Sequence, residues 1–287
     1  MKISLARALG TCFGVRDAIE AALDPSFRGN LTIVGQLVHN PQTVENLKAN
    51  GVKLVDSLED EIETKNVMIT AHGSSESVKA ELRERGHQVF DASCPLVMKV
   101  HNRIAKLVKS GFFPVVVGEQ NHVEVRGIVG DLEDYFVIGK ASEVDLLEEK
   151  DKIGIVCQTT HQVEDAHEVI RRIEEKFPDS EICFVDTICK PTKERQLAVR
   201  ELIEVVDLMV VVGGFNSSNT KKLLKVCLDR GIPSHHIERA GDLQDDWFLQ
   251  SEHVGITAGT STPHHVIEEV HDEIRTIAAG MGAVVED

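Results

Sequence analysis

A pattern that recurs three times, with a period of about 90 residues, limits what this chain can fold into more than any other feature. Each third opens with a cysteine at a loop-to-helix junction: Cys12 leads CFGVRDAIEAAL, Cys94 leads CPLVMKVHNRIAKL and Cys189 leads CKPTKERQLAVREL. A hydrophobic strand closing on glycine follows, and Gly35, Gly118 and Gly213 lie 23, 24 and 24 residues after the three cysteines. Four residues beyond each glycine stands His39, His122 or Ser217, where a helical pattern begins. An acidic spacer (DSLEDEI, SEVDLL or GDLQDDW) then precedes a second strand, which ends in His72, Thr159 or Ser261. Four ordered landmarks in three segments imply internal repetition.

The strand candidates are short and rich in valine and isoleucine: LTIVG, NVMITA, HQVFDA, PVVVG, KIGIV, EICFV, LMVVVGG and HVGITAG, with KISLARAL at the amino terminus. They alternate with amphipathic helical patterns such as VMKVHNRIAKLVK. That alternation predicts an α/β fold with mostly parallel, buried strands. Ligands of such sheets sit beyond the carboxyl ends of the strands, where the repeated landmarks also lie. Three similar α/β units in pseudo-threefold arrangement would aim those ends, and the three cysteines, at one central cavity.

Cys12, Cys94 and Cys189 occupy equivalent positions, whereas Cys157, Cys183 and Cys227 lie in apolar runs without counterparts and read as core residues. No CxxC pair and no dense disulfide spacing occurs. Three thiolates from separate loops suit an iron–sulfur cluster, and a four-iron cluster so held leaves one iron without a protein ligand. Zinc with three cysteines and a water or histidine is the alternative.

The remaining landmarks supply His39, His72, His122, Thr159, Ser217, Ser218, Asn219 and Ser261. Neutral donors at helix amino termini make an anion site that fits phosphate or diphosphate. Each serine, threonine or asparagine taken singly also reads as a plain helix cap. The histidines read as protonatable donors that balance anionic charge. Glu124, two residues after His122, reads as a proton donor with a raised pKa or as a surface glutamate. The other histidines, His101 and His161 among them, read as surface or packing residues. VVGGFNSSN lacks the GK[ST] ending of a P-loop and no GxGxxG follows the first strand, so nucleotide binding is unsupported.

Thirty-one basic against 47 acidic residues give a net charge of −16, which argues against a nucleic-acid or anionic-membrane surface. No apolar run reaches the roughly 20 residues needed to cross a bilayer, and MKISLARALG lacks a signal-peptide core, so a cytoplasmic location is expected.

Taken together, GTCFGV, LVHNPQTVENL, TAHGSS, FDASCPLVMKVH, GEQNHVEV, QTT, DTICKPTKERQ, VGGFNSSNT and ITAGTSTP resemble the IspH/LytB family of 4-hydroxy-3-methylbut-2-enyl diphosphate reductases, nearly end to end. The resemblance implies three α/β units around a central cluster, at residues 13–93, 94–188 and 189–287, with residues 1–12 as an added strand and cluster loop. It implies one 4Fe–4S cluster per chain on Cys12, Cys94 and Cys189, with the substrate hydroxyl at the apical iron. His39, His72, His122, Ser217, Ser218, Asn219 and Ser261 would clamp the diphosphate, Thr159 would orient the hydroxyl, and Glu124, with His122 beside it, would relay protons. The reaction it implies is reductive dehydroxylation of the substrate to isopentenyl and dimethylallyl diphosphate, the last step of the non-mevalonate isoprenoid pathway. Electrons would come from a ferredoxin- or flavodoxin-type donor.

Two positions depart from the family pattern. Val123 stands where many relatives have proline, which bears on how Glu124 is aimed, and Phe13 follows the first cysteine. Two rivals stay open on the residues alone. A quinolinate-synthase-like dehydratase would share the three-cysteine cluster but favour arginine for its carboxylate substrate. A metal-binding sensor would leave Glu124 and the polar ring idle.

Overall fold

The computed structural model describes residues 1–282. Among them, twelve strands alternate with nine α-helices. The order is β1 (Lys2–Leu5), α1 (Phe13–Ala22), β2 (Leu31–Val34), α2 (Pro41–Ala49), β3 (Lys53–Val55), β4 (Asn66–Ile69), α3 (Glu76–Glu84), β5 (Gln88–Asp91) and α4 (Pro95–Lys109). It continues with β6 (Phe113–Val117), α5 (Val123–Val129), β7 (Phe136–Ile138), β8 (Lys152–Cys157), α6 (Val163–Lys176), β9 (Glu181–Val185) and α7 (Lys190–Leu202). The chain closes with β10 (Leu208–Val212), α8 (Ser218–Leu228), β11 (Ser234–Ile237), β12 (His253–Ala258) and α9 (His264–Gly280).

The strands form three four-stranded sheets of one topology, β3-β2-β4-β5, β7-β6-β8-β9 and β11-β10-β12-β1, and every pairing is parallel. The first residues of β2, β6 and β10 pair near the start of the next central strand: Leu31 with Asn66, Phe113 with Ile153 and Leu208 with Val254. The fourth strand of the third sheet is β1, from the opposite end of the chain.

Central strands buried on both faces require continuous apolar runs, which is why β6 and β10 read as valine repeats. Val115, Val116 and Val117 are wholly buried, as are Val210, Val211 and Val212. Burying each such side chain stabilises the fold by about 1.5–3 kcal/mol relative to leaving it exposed. The glycine closing β2, β6 or β10 donates its N–H to the last residue of the neighbouring edge strand: Gly35 to Val55 at 2.7 Å, Gly118 to Ile138 at 2.9 Å and Gly213 to Ile237 at 2.9 Å. Gly213 has φ +150°, and a Cβ there would lie 2.6 Å from Thr220 Oγ1 and 2.7 Å from Thr262 Oγ1. No larger residue fits that turn without displacing both threonines.

The chain divides into two compact units. The first comprises Met1–Val15, His39–Thr43 and the described residues from Lys190 onward, and it contains the β1/β10/β11/β12 sheet. The second comprises Arg16–Val38 and Val44–Cys189, and it contains the other two sheets. Among the described residues no helix is long and apolar enough to cross a membrane.

Candidate active site

Within the first compact unit, Cys12 stands directly before the first residue of α1, and its N–H donates to Thr260 O at 3.0 Å. Thr11 Oγ1 ties the same loop to Thr262 O at 2.8 Å. The buried guanidinium of Arg195, from α7, donates to Gly10 O through Nε at 3.1 Å and Nη2 at 2.6 Å. The loop carrying Cys12 is thus held on two sides.

His39 lies one residue before the cap of α2. Asn40 Oδ1 accepts from Thr43 N at 2.8 Å, so Asn40 is the cap, and Pro41, lacking an N–H, takes the first helical position where none is needed. Ser261 Oγ donates to His39 O at 3.1 Å. A Cβ at Gly214 would lie 2.6 Å from His39 O, so only glycine allows this close approach.

Ser217 caps α8, its Oγ accepting from Thr220 N at 3.3 Å, while Ser218 and Asn219 lie buried in the first turn. Asn219 Oδ1 accepts from Thr192 Oγ1 at 3.5 Å. Among the described residues its buried Nδ2 has no hydrogen-bond partner. An orphaned buried donor costs free energy unless something accepts from it, so its chemistry fits an anion. Burial, and after it the positive charge of Lys221, lowers the His39 pKa, so His39 is a neutral donor here. The positive charge belongs instead to Lys221, an exposed residue of α8 that the spacing argument passed over.

Within the second compact unit, Glu124 is 1 % exposed and has no basic partner among the described residues. Its Oε1 accepts from Thr159 N at 2.6 Å and its Oε2 from Thr159 Oγ1 at 2.9 Å. Burial pushes its carboxyl pKa up to about 7, against the pull of both Thr159 bonds. Glu124 is therefore not a surface glutamate.

His122 caps α5 by accepting from Glu124 N at Nδ1, 3.1 Å away, which puts the proton of the neutral ring on Nε2. The His72 and His122 rings meet edge to face with centroids 5.8 Å apart. Cys94 and Cys189 stand directly before α4 and α7. The Cys94 N–H donates to Ala71 O and the Cys189 N–H to Thr159 O, both at 3.0 Å.

One relationship thus recurs within each unit that holds a candidate ligand. The cysteine N–H bonds the loop beyond a central strand, at Thr260 beside Ser261, at Ala71 beside His72, and at Thr159 itself. A second device was legible but overlooked, in the twice-repeated D-x-x-C of DASC and DTIC. Asp91 Oδ1 accepts from Ser93 N at 2.9 Å and Asp186 Oδ1 from Ile188 N at 3.1 Å, shaping the turn before each cysteine.

Cys12 belongs to the first unit and Cys94 and Cys189 to the second. Among the described residues no group of three or more His, Cys, Asp or Glu side chains is gathered as a metal site. Cys157 and Cys227 are wholly buried, and burial pushes the Cys227 thiol up to about 12, against the pull of its bonds. Cys183 is half-buried in β9, and His161, read as a surface or packing residue, is wholly buried.

Residues 3–275 match the model of the family described as LytB protein. The chain belongs to the LytB family. A LytB relative from Pelobacter propionicus, named 4-hydroxy-3-methylbut-2-enyl diphosphate reductase, is 38% identical over 279 residues, covering 96% of this chain and 99% of the relative. The solved structure of the E-1-hydroxy-2-methyl-but-2-enyl-4-diphosphate reductase from Plasmodium falciparum superposes with a TM-score of 0.90 at 26% identity, covering 99% of this chain and 90% of that one. A second solved structure, of (E)-4-hydroxy-3-methyl-but-2-enyl diphosphate reductase, the terminal enzyme of the non-mevalonate pathway, gives 0.68 at 36% identity, covering 96% and 99%. LytB proteins are iron–sulfur oxidoreductases.

Proposed function

We propose that this chain is a 4-hydroxy-3-methylbut-2-enyl diphosphate reductase of the non-mevalonate pathway. Two electrons and two protons remove the allylic hydroxyl as water and leave isopentenyl or dimethylallyl diphosphate. The observation that carries this reading is the recurring bond from Cys12, Cys94 and Cys189 to the loops of Ser261, His72 and Thr159. It ties each candidate cluster ligand to a candidate substrate contact through the backbone.

The donor set fits the group. Three thiols, each at the amino-terminal end of a helix where the helix dipole favours negative charge, suit a 4Fe–4S cluster, and the fully buried cysteines stand apart from them. When bound on Cys12, Cys94 and Cys189, one cluster per chain supplies the electrons and a Lewis-acidic iron.

The chain's own residues do the rest. His39, His72, His122, Ser217, Ser218, Asn219 and Ser261 bind the diphosphate and so anchor a fragment whose reacting bond lies at its far end. Thr159 Oγ1 donates to Glu124, which leaves its lone pairs to accept from the substrate hydroxyl. Glu124, its carboxyl pushed up to about 7 by burial, can hold a proton near neutral pH and delivers it to the reacting fragment. His122 sets the start of the helix that carries it.

The same reading carries the repeat boundaries 13–93, 94–188 and 189–287 with residues 1–12 added, a ferredoxin- or flavodoxin-type donor, and a cytoplasmic location. The test is anaerobic reconstitution followed by iron and sulfide analysis, Mössbauer spectra with and without the hydroxylated allylic diphosphate, and turnover with a chemical reductant. Four irons per chain, one perturbed by substrate, and release of both five-carbon diphosphates support the reading. Bound zinc, or a cluster that does not respond to substrate, overturns it.

A further inference from the structure

Lys79, in α3, is 2 % exposed, and its ammonium is paired twice: with Asp91 Oδ2 at 2.7 Å and with Glu76 Oε1 at 2.9 Å. The partners differ in what they connect to. Glu76 sits one turn earlier on the same helix and is mostly exposed. Asp91 ends β5, and its other oxygen accepts from the N–H of Ser93, the residue before Cys94. Cys94 is itself bonded to Ala71. A continuous path of short bonds therefore runs from a buried cation, through one carboxylate, into the turn that presents Cys94.

A buried lysine is a costly way to hold a helix to a strand, since its ammonium is poorly solvated while the Asp91 and Glu76 carboxylates it pairs with are exposed. Its arrangement suits a different purpose. A carboxylate clamped at one oxygen cannot rotate about its own side-chain bonds, so the turn it accepts at the other oxygen is held in one geometry. Asp186 makes the same turn before Cys189, which marks the turn as part of how cysteines are presented in this chain.

We infer that Lys79 is a positioning residue for the cluster ligand Cys94, acting through the carboxylate of Asp91. This rests on the assignment of Cys94 as a ligand. Groups hydrogen-bonded directly to a metal ligand typically change metal affinity about ten- to a hundredfold when lost, and Lys79 acts one contact further back, through Asp91 and the Ser93 N–H.

The experiment measures iron release to a chelator from anaerobically reconstituted full-length protein, with thermal unfolding recorded alongside. Lys79→Met should release iron several-fold faster, up to about tenfold. Glu76→Gln, which removes the other partner of the same cation, should release it at the wild-type rate. Should Lys79→Met not accumulate, Asp91→Asn carries the same test, because asparagine keeps an acceptor for the Ser93 N–H and loses the charge that Lys79 grips. Equal rates in wild type and Lys79→Met, or equal acceleration in Glu76→Gln, overturn the inference. Cys94→Ser separates the two levels. If it keeps its iron, the ligand assignment falls; if it loses iron while Lys79→Met does not, only the positioning role falls.

Discussion

Thr159 holds both oxygens of the Glu124 carboxylate, one through its backbone N–H and the other through its hydroxyl. The pairing gives a fully buried acid a fixed orientation without a basic partner, so its proton affinity is set mainly by burial. Glu124→Gln keeps the volume and an acceptor for the Thr159 N–H but cannot deliver a proton. Turnover should fall by about a hundredfold or more while diphosphate affinity stays near the wild-type value. Steady-state rates with a chemical reductant, beside calorimetric binding, check both halves.

The same burial makes a stability prediction. The carboxyl has its ordinary pKa near 4.5 when unfolded and about 7 when folded. Below the lower value both states are protonated and the titration of Glu124 takes nothing from stability. Between the two, the folded state holds a proton that the unfolded state has lost, so stability falls as pH rises. The loss is about 3 kcal/mol in total and is complete once pH exceeds about 7. Denaturant unfolding of the full chain purified without iron, compared with Glu124→Gln from pH 4.5 to 8, should show this difference. Parallel pH profiles would contradict it.

Serine at Cys12, Cys94 or Cys189 should abolish a stable four-iron cluster. Serine at Cys157, Cys183 or Cys227 should retain it, because two of these are wholly buried and the third lies within β9. Iron and sulfide content per chain decides. Full iron in any of the first three variants removes that cysteine from the ligand set.

Asn219→Ala tests the anion site in the first compact unit. Among the described residues its Nδ2 has no hydrogen-bond partner, and the truncation removes the long bond that Oδ1 accepts from Thr192 Oγ1, so stability should fall by only about 1 kcal/mol. A hydrogen bond to a charged group is worth about 1.5–3 kcal/mol, so diphosphate affinity should drop about ten- to a hundredfold. Inorganic diphosphate titrated into wild type and variant gives the comparison, and equal affinities would remove Asn219 from the site.

All eight internal valine- and isoleucine-rich runs are strands, because a strand buried on both faces must be apolar along its length. The edge strands β3 and β7 were not legible, being three residues each, and neither was β11, whose sequence SHHI is polar. They are paired from one side only and carry little hydrophobic signal. The landmark spacing aligned His39 with His122 and Ser217, yet only the latter two are helix caps. The local N-P dipeptide shifted the first cap to Asn40, and a rule of constant spacing has no place for such a shift.

What the sequence by itself determined is the local grammar: parallel strands, glycine closures, and a cysteine before a helix in each repeat. These depend on residues near one another in the chain. Tertiary structure alone decided three things. Lys2 is paired with His253, 251 residues away. Glu124 is sealed from solvent against Thr159 and so keeps its proton to about pH 7. Lys79 reaches across to Asp91 behind Cys94. Each depends on which surfaces are removed from water by distant segments, and burial is a property of the packed chain rather than of any stretch within it.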